Sequence, residues 1–260
     1  MSDAFYTYEV FGEGSALGNP AAVLIAKKPW TESAMQALAT DVGFSETAFV
    51  IASLGGLHLR WFTPTTEIDL CGHATAASAA ALVAEGVMKP GGEIELITRS
   101  GPLLCGATDQ EAWVRLPERS AIEMAVPSWM PSGIRAWTAA GWTVVEVPER
   151  GNVSDVDANT ISQLGIDGLV VVFCVEAPTS VALRVFGPSL GIEEDPVTGS
   201  AHCYLAPLVS HRMDGARYRA EQLSARGGIV MVRRTNHGVE IKGSVSLIEQ
   251  GSRTQSEESR

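Results

Sequence analysis

Glu46 stands in Ser45-Glu46-Thr47-Ala48-Phe49, between a helix-like segment and an apolar strand, where an acidic side chain gains nothing from packing. A carboxylate there is either a solvated loop residue or a general acid/base. In partly apolar surroundings its pKa would rise toward neutrality, which suits a group that takes a proton from carbon and returns it elsewhere. Two further segments, Gly72-His73-Ala74 and Gly199-Ser200-Ala201, put glycine where a strand gives way to a helix. The first N–H groups of a helix lack intrahelical acceptors and attract carboxylates, so the two starts could converge on one cleft and clamp a small anionic substrate. Either glycine could equally serve close strand-helix packing. Asp195, just before the second start, could hydrogen-bond a substrate amine or hydroxyl, hold His73, or complement the helix macrodipole.

Cys71 and His73 are two residues apart, and His202 and Cys203 are adjacent. The second pair falls inside a presumed helix, where neighbours point about 100° apart and cannot easily chelate one ion, so no metal site is expected. Spacing alone gives Cys71 and His73 no activating arrangement for nucleophilic catalysis. No G-x-G-x-x-G follows a strand and no phosphate-binding loop ends in Gly-Lys-Ser/Thr, so no cofactor is expected. An enzyme built this way works with side chains and helix N-termini, which points to proton transfer or simple addition and elimination.

The elements that must position these residues follow from periodicity. Phe5, Tyr6, Tyr8 and Val10 alternate as a strand, and after a Gly-rich turn ending in Gly18-Asn19-Pro20 the run Ala21 to Ile25 pairs with it. Thr31 is a good N-cap for a helix carrying Ala34, Met35, Leu38, Ala39 and Val42 on one face, stopped at Gly43. Strands are expected over Thr47 to Ala52 and Leu57 to Phe62, then an Ala-rich helix over Ala74 to Ala84 closed by Gly86, then strands over Glu93 to Thr98 and Ala112 to Leu116. A second half begins near Ala139 to Val147, continues through Leu169 to Val175, and ends with strands Gly228 to Arg233 and Val239 to Lys242.

The chain repeats itself at half length. Arg60-Trp61-Phe62-Thr63-Pro64 answers to Arg184-Val185-Phe186-Gly187-Pro188, and each is followed by an acidic stretch, a glycine and a helix-like segment. The offset is 124 at the arginine and 127 at the glycine, the drift a three-residue loop insertion would give. Two similar lobes are expected, residues 1–118 and 119–250, with the boundary between Pro117 and Pro131 and a polar, disordered tail over 251–260.

Composition narrows the function. A net charge of -11 and a pI near 4.9, with no Lys/Arg run, exclude nucleic acid and anionic membrane surfaces as expected partners. Met1-Ser2-Asp3-Ala4-Phe5 has no basic segment followed by an apolar run, and no stretch reaches the roughly 18 apolar residues that span a bilayer, so a cytoplasmic protein is expected. Its four scattered cysteines are expected to be reduced thiols.

Taken together, Gly18-Asn19-Pro20, Ser45-Glu46-Thr47, Phe62-Thr63-Pro64, Gly72-His73 and Glu194-Asp195-Pro196-Val197-Thr198-Gly199-Ser200-Ala201 resemble the phenazine-biosynthesis isomerase-like family over nearly the whole chain. The most specific piece is Asp195 to Ala201 followed by His202-Cys203-Tyr204-Leu205-Ala206-Pro207. The resemblance implies an α+β, diaminopimelate epimerase-like fold: two pseudo-repeated lobes, each a curled, mostly antiparallel, barrel-like sheet around a central helix. It implies an active site between the lobes and a homodimer. Glu46 would be the catalytic acid/base, His73 and Asp195 would join it in binding substrate or shuttling the proton, and Asn19, Gly72, Ala74, Thr198, Gly199 and Ser200 would bind substrate.

In the phenazine-pathway member of that family a proton is moved along the allylic system of a cyclic dihydro-hydroxyanthranilate. Related epimerases use two facing cysteines instead. Cys71 lies near the first of those positions, but Asp195-Pro196-Val197 stands where the partner thiol would be expected, and Cys203 comes a turn too late. The expected function is a cofactor-independent isomerase acting on a small carboxylate-bearing substrate. A two-base amino-acid epimerase or racemase, and a non-catalytic binding protein on the same scaffold, are the alternatives.

Overall fold

The computed structural model describes residues 2–130, 132–139 and 141–255. The chain divides into two compact units: the first takes residues up to Val10, Pro20–Arg115 and the chain from Lys242, the second Phe11–Asn19 and Leu116–Ile241. The lobes expected at 1–118 and 119–250 thus exchange two segments. The polar character of the C-terminal segment hid its place in a strand.

The first unit is built from β1 (Asp3–Val10), β2 (Asn19–Ala26), α1 (Glu32–Val42), β3 (Glu46–Ser53), β4 (Gly56–Phe62), β5 (Glu67–Ile68), α2 (Gly72–Ala84), β6 (Glu93–Thr98), β7 (Gly101–Ala107) and β8 (Glu111–Leu116). Its strands run β1-β2-β3-β4-β6-β7-β8, then β16 (Gly238–Arg253), which pairs back onto β1 and closes the ring. Asp3, Ala4 and Phe5 face Arg253, Ser252 and Gly251, so the start of the expected tail is a paired strand; residues 256–260 of that tail lie outside the described residues.

Inside the ring runs α2, against β1, β3 and β7. Every residue from Gly72 to Leu82 is buried, as suits a helix without a polar face; this one is mostly alanine. On the outer face α1 packs Met35 and Ala39 onto Leu24, Phe49 and Phe62. Its ends are those the sequence predicts: Thr31 accepts from the Ala34 amide, and Gly43 takes the left-handed conformation at φ 69°.

The second unit contains β9 (Ile122–Met124), β10 (Arg135–Ala139), β11 (Trp142–Glu146), α3 (Arg150–Ser154), α4 (Ala158–Gln163), β12 (Leu169–Ala177), β13 (Ser180–Phe186), α5 (His202–Val209), β14 (Arg217–Gln222), β15 (Gly228–Thr235) and residues 238–241 of β16. The order is β16-β15-β14-β13-β12-β11-β10-β9. Its core joins Val153 and Ile161 of α3 and α4 to Val170, Val172 and Phe186 of the sheet.

The repeat is topological as well as sequential. β2–β3 and β11–β12 are parallel pairs, β3–β4 and β12–β13 antiparallel hairpins, and β4–β6 and β13–β14 parallel again. The motif arginine does the same work in both copies. Arg60 forks Glu67 at 2.7 and 2.6 Å and lies over Phe62; Arg184 forks Glu194 at 2.6 and 2.9 Å and lies over Phe186. The three-residue drift is the single 3-10 turn Pro188–Leu190, which unit 1 lacks between Phe62 and Glu67. Among the described residues no helix is long and apolar enough to cross a membrane.

Ala77 is fully buried on α2 inside the ring. Ala77→Leu is expected to lower the unfolding free energy by about 1–3 kcal/mol through overpacking. The same change at exposed Ala37 on α1 should stay within about 0.5 kcal/mol. Urea titrations of the two variants beside the unaltered protein test this.

Candidate active site

In unit 1 the parallel pairing of β2 with β3 sets Glu46 at the first position of β3, opposite Ala21. The residue is 7% exposed. The second residue of α2, His73, is 2% exposed, and its Nε2 lies 3.2 Å from Glu46 Oε2. Ser45 Oγ approaches the same ring nitrogen at 3.5 Å, and Cys71 Sγ stands 3.5 Å from Nδ1. The imidazole is thus held between a thiol and a carboxylate.

Burial pushes the His73 pKa down to about 3, so the ring is neutral at physiological pH and carries one proton. The ring presents Nε2 to Glu46 and Ser45 and Nδ1 to Cys71, and its single proton sits on one of these two nitrogens. Sequence spacing alone shows no such relation between Cys71 and His73; the helix start creates it. The Cys71 carbonyl accepts from the Thr75 amide at 3.3 Å and the Thr75 hydroxyl at 2.5 Å, fixing the turn that carries both residues. Gly72, His73 and Ala74 then open a 13-residue helix with N–H groups that have no intrahelical acceptor.

Among the described residues, Glu46, Cys71 and His73 form a group with one donor atom each within 4.8 Å, the spacing of a loose metal centre. A single ion binds one ring nitrogen, whereas here Nδ1 faces sulfur and Nε2 faces oxygen. The arrangement fits a proton path along the ring better than a closed tetrahedron.

Unit 2 holds the other expected residues. Asp195 is 7% exposed; its Oδ1 accepts from Asn19 Nδ2 at 2.8 Å and its Oδ2 accepts from the Thr198 hydroxyl. Asn19 Nδ2 also donates to the Val197 carbonyl at 3.1 Å. Burial raises the Asp195 pKa to about 6, against the two hydrogen bonds and with help from Glu194. Gly199-Ser200-Ala201 opens a helical segment as expected, through a 3-10 turn that runs directly into α5 at His202. Gly199 is buried and Ser200 half-buried on that turn. His202 and Cys203 are packed residues of α5, His202 Nδ1 lying 3.0 Å from the Tyr218 hydroxyl.

One polar residue of this cluster escaped the sequence reading. Gln222 is 2% exposed and hydrogen-bonds the Asp195 and Thr198 backbone. Its signal was present: Tyr218, Ala220 and Gln222 share the inward phase of β14, and a glutamine in that phase needs partners.

The model of the family described as phenazine biosynthesis-like protein matches residues 8–137 and 130–251. An uncharacterized isomerase of Pseudomonas aeruginosa is 33% identical over 258 residues, covering 96% of this chain and 98% of that protein. The crystal structure of a PhzF-family phenazine biosynthesis protein from Enterococcus faecalis matches with a TM-score of 0.85 at 29% identity, over 98% of this chain and 100% of that one. A probable proline racemase from Agrobacterium radiobacter, at 11% identity and a TM-score of 0.71 over 98% of this chain and 93% of that one, is similar in fold alone. The chain belongs to the phenazine biosynthesis-like protein family and has its α+β, diaminopimelate epimerase-like fold.

Proposed function

We propose that the chain is an isomerase that moves a proton on a small carboxylic acid without a cofactor, with Glu46 as the general acid/base. The observation that carries this reading is a carboxylate nine-tenths buried, 3.2 Å from the Nε2 of a neutral histidine, at the start of a buried helix. A solvated loop residue would have neither the burial nor the partner. The names of relatives, which include isomerases, agree with it.

In the reaction the Glu46 carboxylate takes a proton from a carbon acidified by a neighbouring unsaturated or carboxyl group, forming the O–H bond as the C–H electrons move into the conjugated system. The same proton returns to another carbon of that system. His73 fixes the carboxylate from one side, and the N–H groups of Gly72, His73 and Ala74 suit the substrate carboxylate. Thr198, Gly199, Ser200 and Asn19 are the substrate-binding candidates of unit 2, and Asp195, with its raised pKa, is a second group able to hold a proton near neutrality.

The two-thiol alternative lacks its second thiol: at the repeat offset of 127, Cys71 corresponds to Thr198. A non-catalytic binding protein would have use for the helix start but none for a buried Glu46 against His73.

Incubation with a panel of small cyclic and amino carboxylic acids in heavy water, followed by proton NMR, tests the reading. At least one compound should exchange a carbon-bound proton, and Glu46→Gln should slow that exchange by about 10²–10⁴-fold. Binding without exchange by the unaltered protein would support the binding-protein alternative instead.

The titration of Asp195 has its own consequence for stability. Folding raises its pKa from about 4 in the unfolded chain to about 6. Its contribution is therefore complete below pH ~4 and is lost as the pH rises through ~6. Denaturant unfolding between about pH 4 and 7.5 should show the unaltered protein losing roughly 2–3 kcal/mol relative to Asp195→Asn, which does not titrate. A constant difference over that range would mean that the fold does not perturb Asp195.

A further inference from the structure

Gln222 is the last residue of β14, and its cross-strand neighbour on β15 is Gly228. Its Oε1 accepts from the Thr198 amide at 2.8 Å, while Nε2 donates to the Asp195 carbonyl at 2.6 Å and to the Thr198 hydroxyl at 3.2 Å. That hydroxyl is the one that donates to Asp195 Oδ2. Both amide hydrogens and the amide oxygen are thus spent on the turn from Asp195 to Thr198. Gly228 completes the seat, since a Cβ there would lie 1.9 Å from Val197 Cγ2.

The internal repeat separates what this seat does for the fold from what it does for the acid. A tie between the loop and the segment after the following strand exists in both copies: Ser100 Oγ donates to the Asp69 carbonyl at 2.7 Å, and Ser224 Oγ to the Pro196 carbonyl at 2.8 Å. The registers of β4 with β6 and of β13 with β14 make Thr98 the counterpart of Gln222. At the offset of 127, Ile68 is the counterpart of Asp195. In the copy without the acid the amide is missing too, and the Thr98 hydroxyl turns instead to the Gly101 carbonyl at 2.6 Å. Holding the loop needs the serine; the amide occurs only where there is a carboxyl to hold.

We propose that Gln222 is a positioning residue, whose amide locks the Asp195–Thr198 turn so that the Asp195 carboxyl stays oriented and dry. The proposal rests on the reading of Asp195 as a working acid and deepens it. The charged group nearest in sequence is Glu194, which is turned away to Arg184. Asn19 and Thr198 supply the carboxyl's direct hydrogen bonds, and Gln222 holds Thr198 where it can give its own.

The test reads the carboxyl without any substrate, so a missing reaction and a missing clamp are told apart. Full-length protein carrying carboxyl-13C aspartate is titrated by NMR, and the Asp195 signal is identified by its loss in Asp195→Asn. In the unaltered protein it should titrate near about 6. In Gln222→Ala it should fall toward the ordinary carboxylate value of about 4 as water enters the turn, while Ser224→Ala leaves it in place. Gln222→Glu, which keeps the acceptor for the Thr198 amide, should preserve that amide's hydrogen-exchange protection, and Gln222→Ala should lose it by tenfold or more. An Asp195 titration unchanged in Gln222→Ala, or shifted equally by Ser224→Ala, would overturn the proposal. If Gln222→Ala does not fold, an unchanged titration together with lost Thr198 protection in Gln222→Glu would overturn it as well.

Discussion

The first eleven residues of α2 are all buried, because in unit 1 the helix runs through a closed ring of strands. The constraint reaches outward from there. It demands small side chains, hence the run of alanines, and it demands that the few polar ones be satisfied within the helix. Thr75 and Ser78 accordingly donate to the Cys71 and Ala74 carbonyls. It also fixes where the helix begins. His73 enters the interior as the second helical residue, desolvated and neutral, and the start of β3 brings Glu46 against it. The candidate site is a consequence of how the central helix is buried, which is why its residues lie in two short segments far apart in sequence.

How much of this could be read from the sequence depends on whether a feature is written in local pattern or in pairing. The caps of α1 rest on the types of Thr31 and Gly43 alone, and both were legible. The repeat was legible because Arg60 and Arg184 sit in short conserved surroundings within the chain, and the bidentate pairs explain why those residues recur. The pairing of Gly251, Ser252 and Arg253 with β1 was not legible, because the partners come from opposite ends of the chain and the segment is polar on both faces. The helix start at Gly199 was legible because it carries the same glycine-led pattern as Gly72; that its first turn is 3-10 was not. Gln222 was passed over because a single glutamine in a strand has no motif, only a phase.

The two copies of the repeat divide labour in a way that either copy alone would conceal. Positions that hold the scaffold are alike: the Arg-Glu forks, the arginine over phenylalanine, and the serines tying each loop. Positions proposed to carry chemistry differ. Thr47 faces Phe62 as Val170 faces Phe186, so the counterpart of Glu46 is Leu169; Ser200 stands for His73, Thr198 for Cys71, and Asp195 for Ile68. A duplicated structural frame leaves such positions free to diverge without loss of fold, because none of them carries the ties that the copies share.

That asymmetry bears on the stereochemistry of the proposed reaction. Inverting a stereocentre requires one group to remove the proton and another to deliver it to the opposite face, which is the reason for two equivalent thiols in a racemase. Here the carboxylate has an aliphatic counterpart in the other copy, and Cys71 answers to a threonine. A single carboxylate that takes and returns a proton does so on one face of its substrate, moving it between carbons of a conjugated system rather than across a carbon. The asymmetry of the two copies therefore favours a positional isomerisation for the proposed reaction.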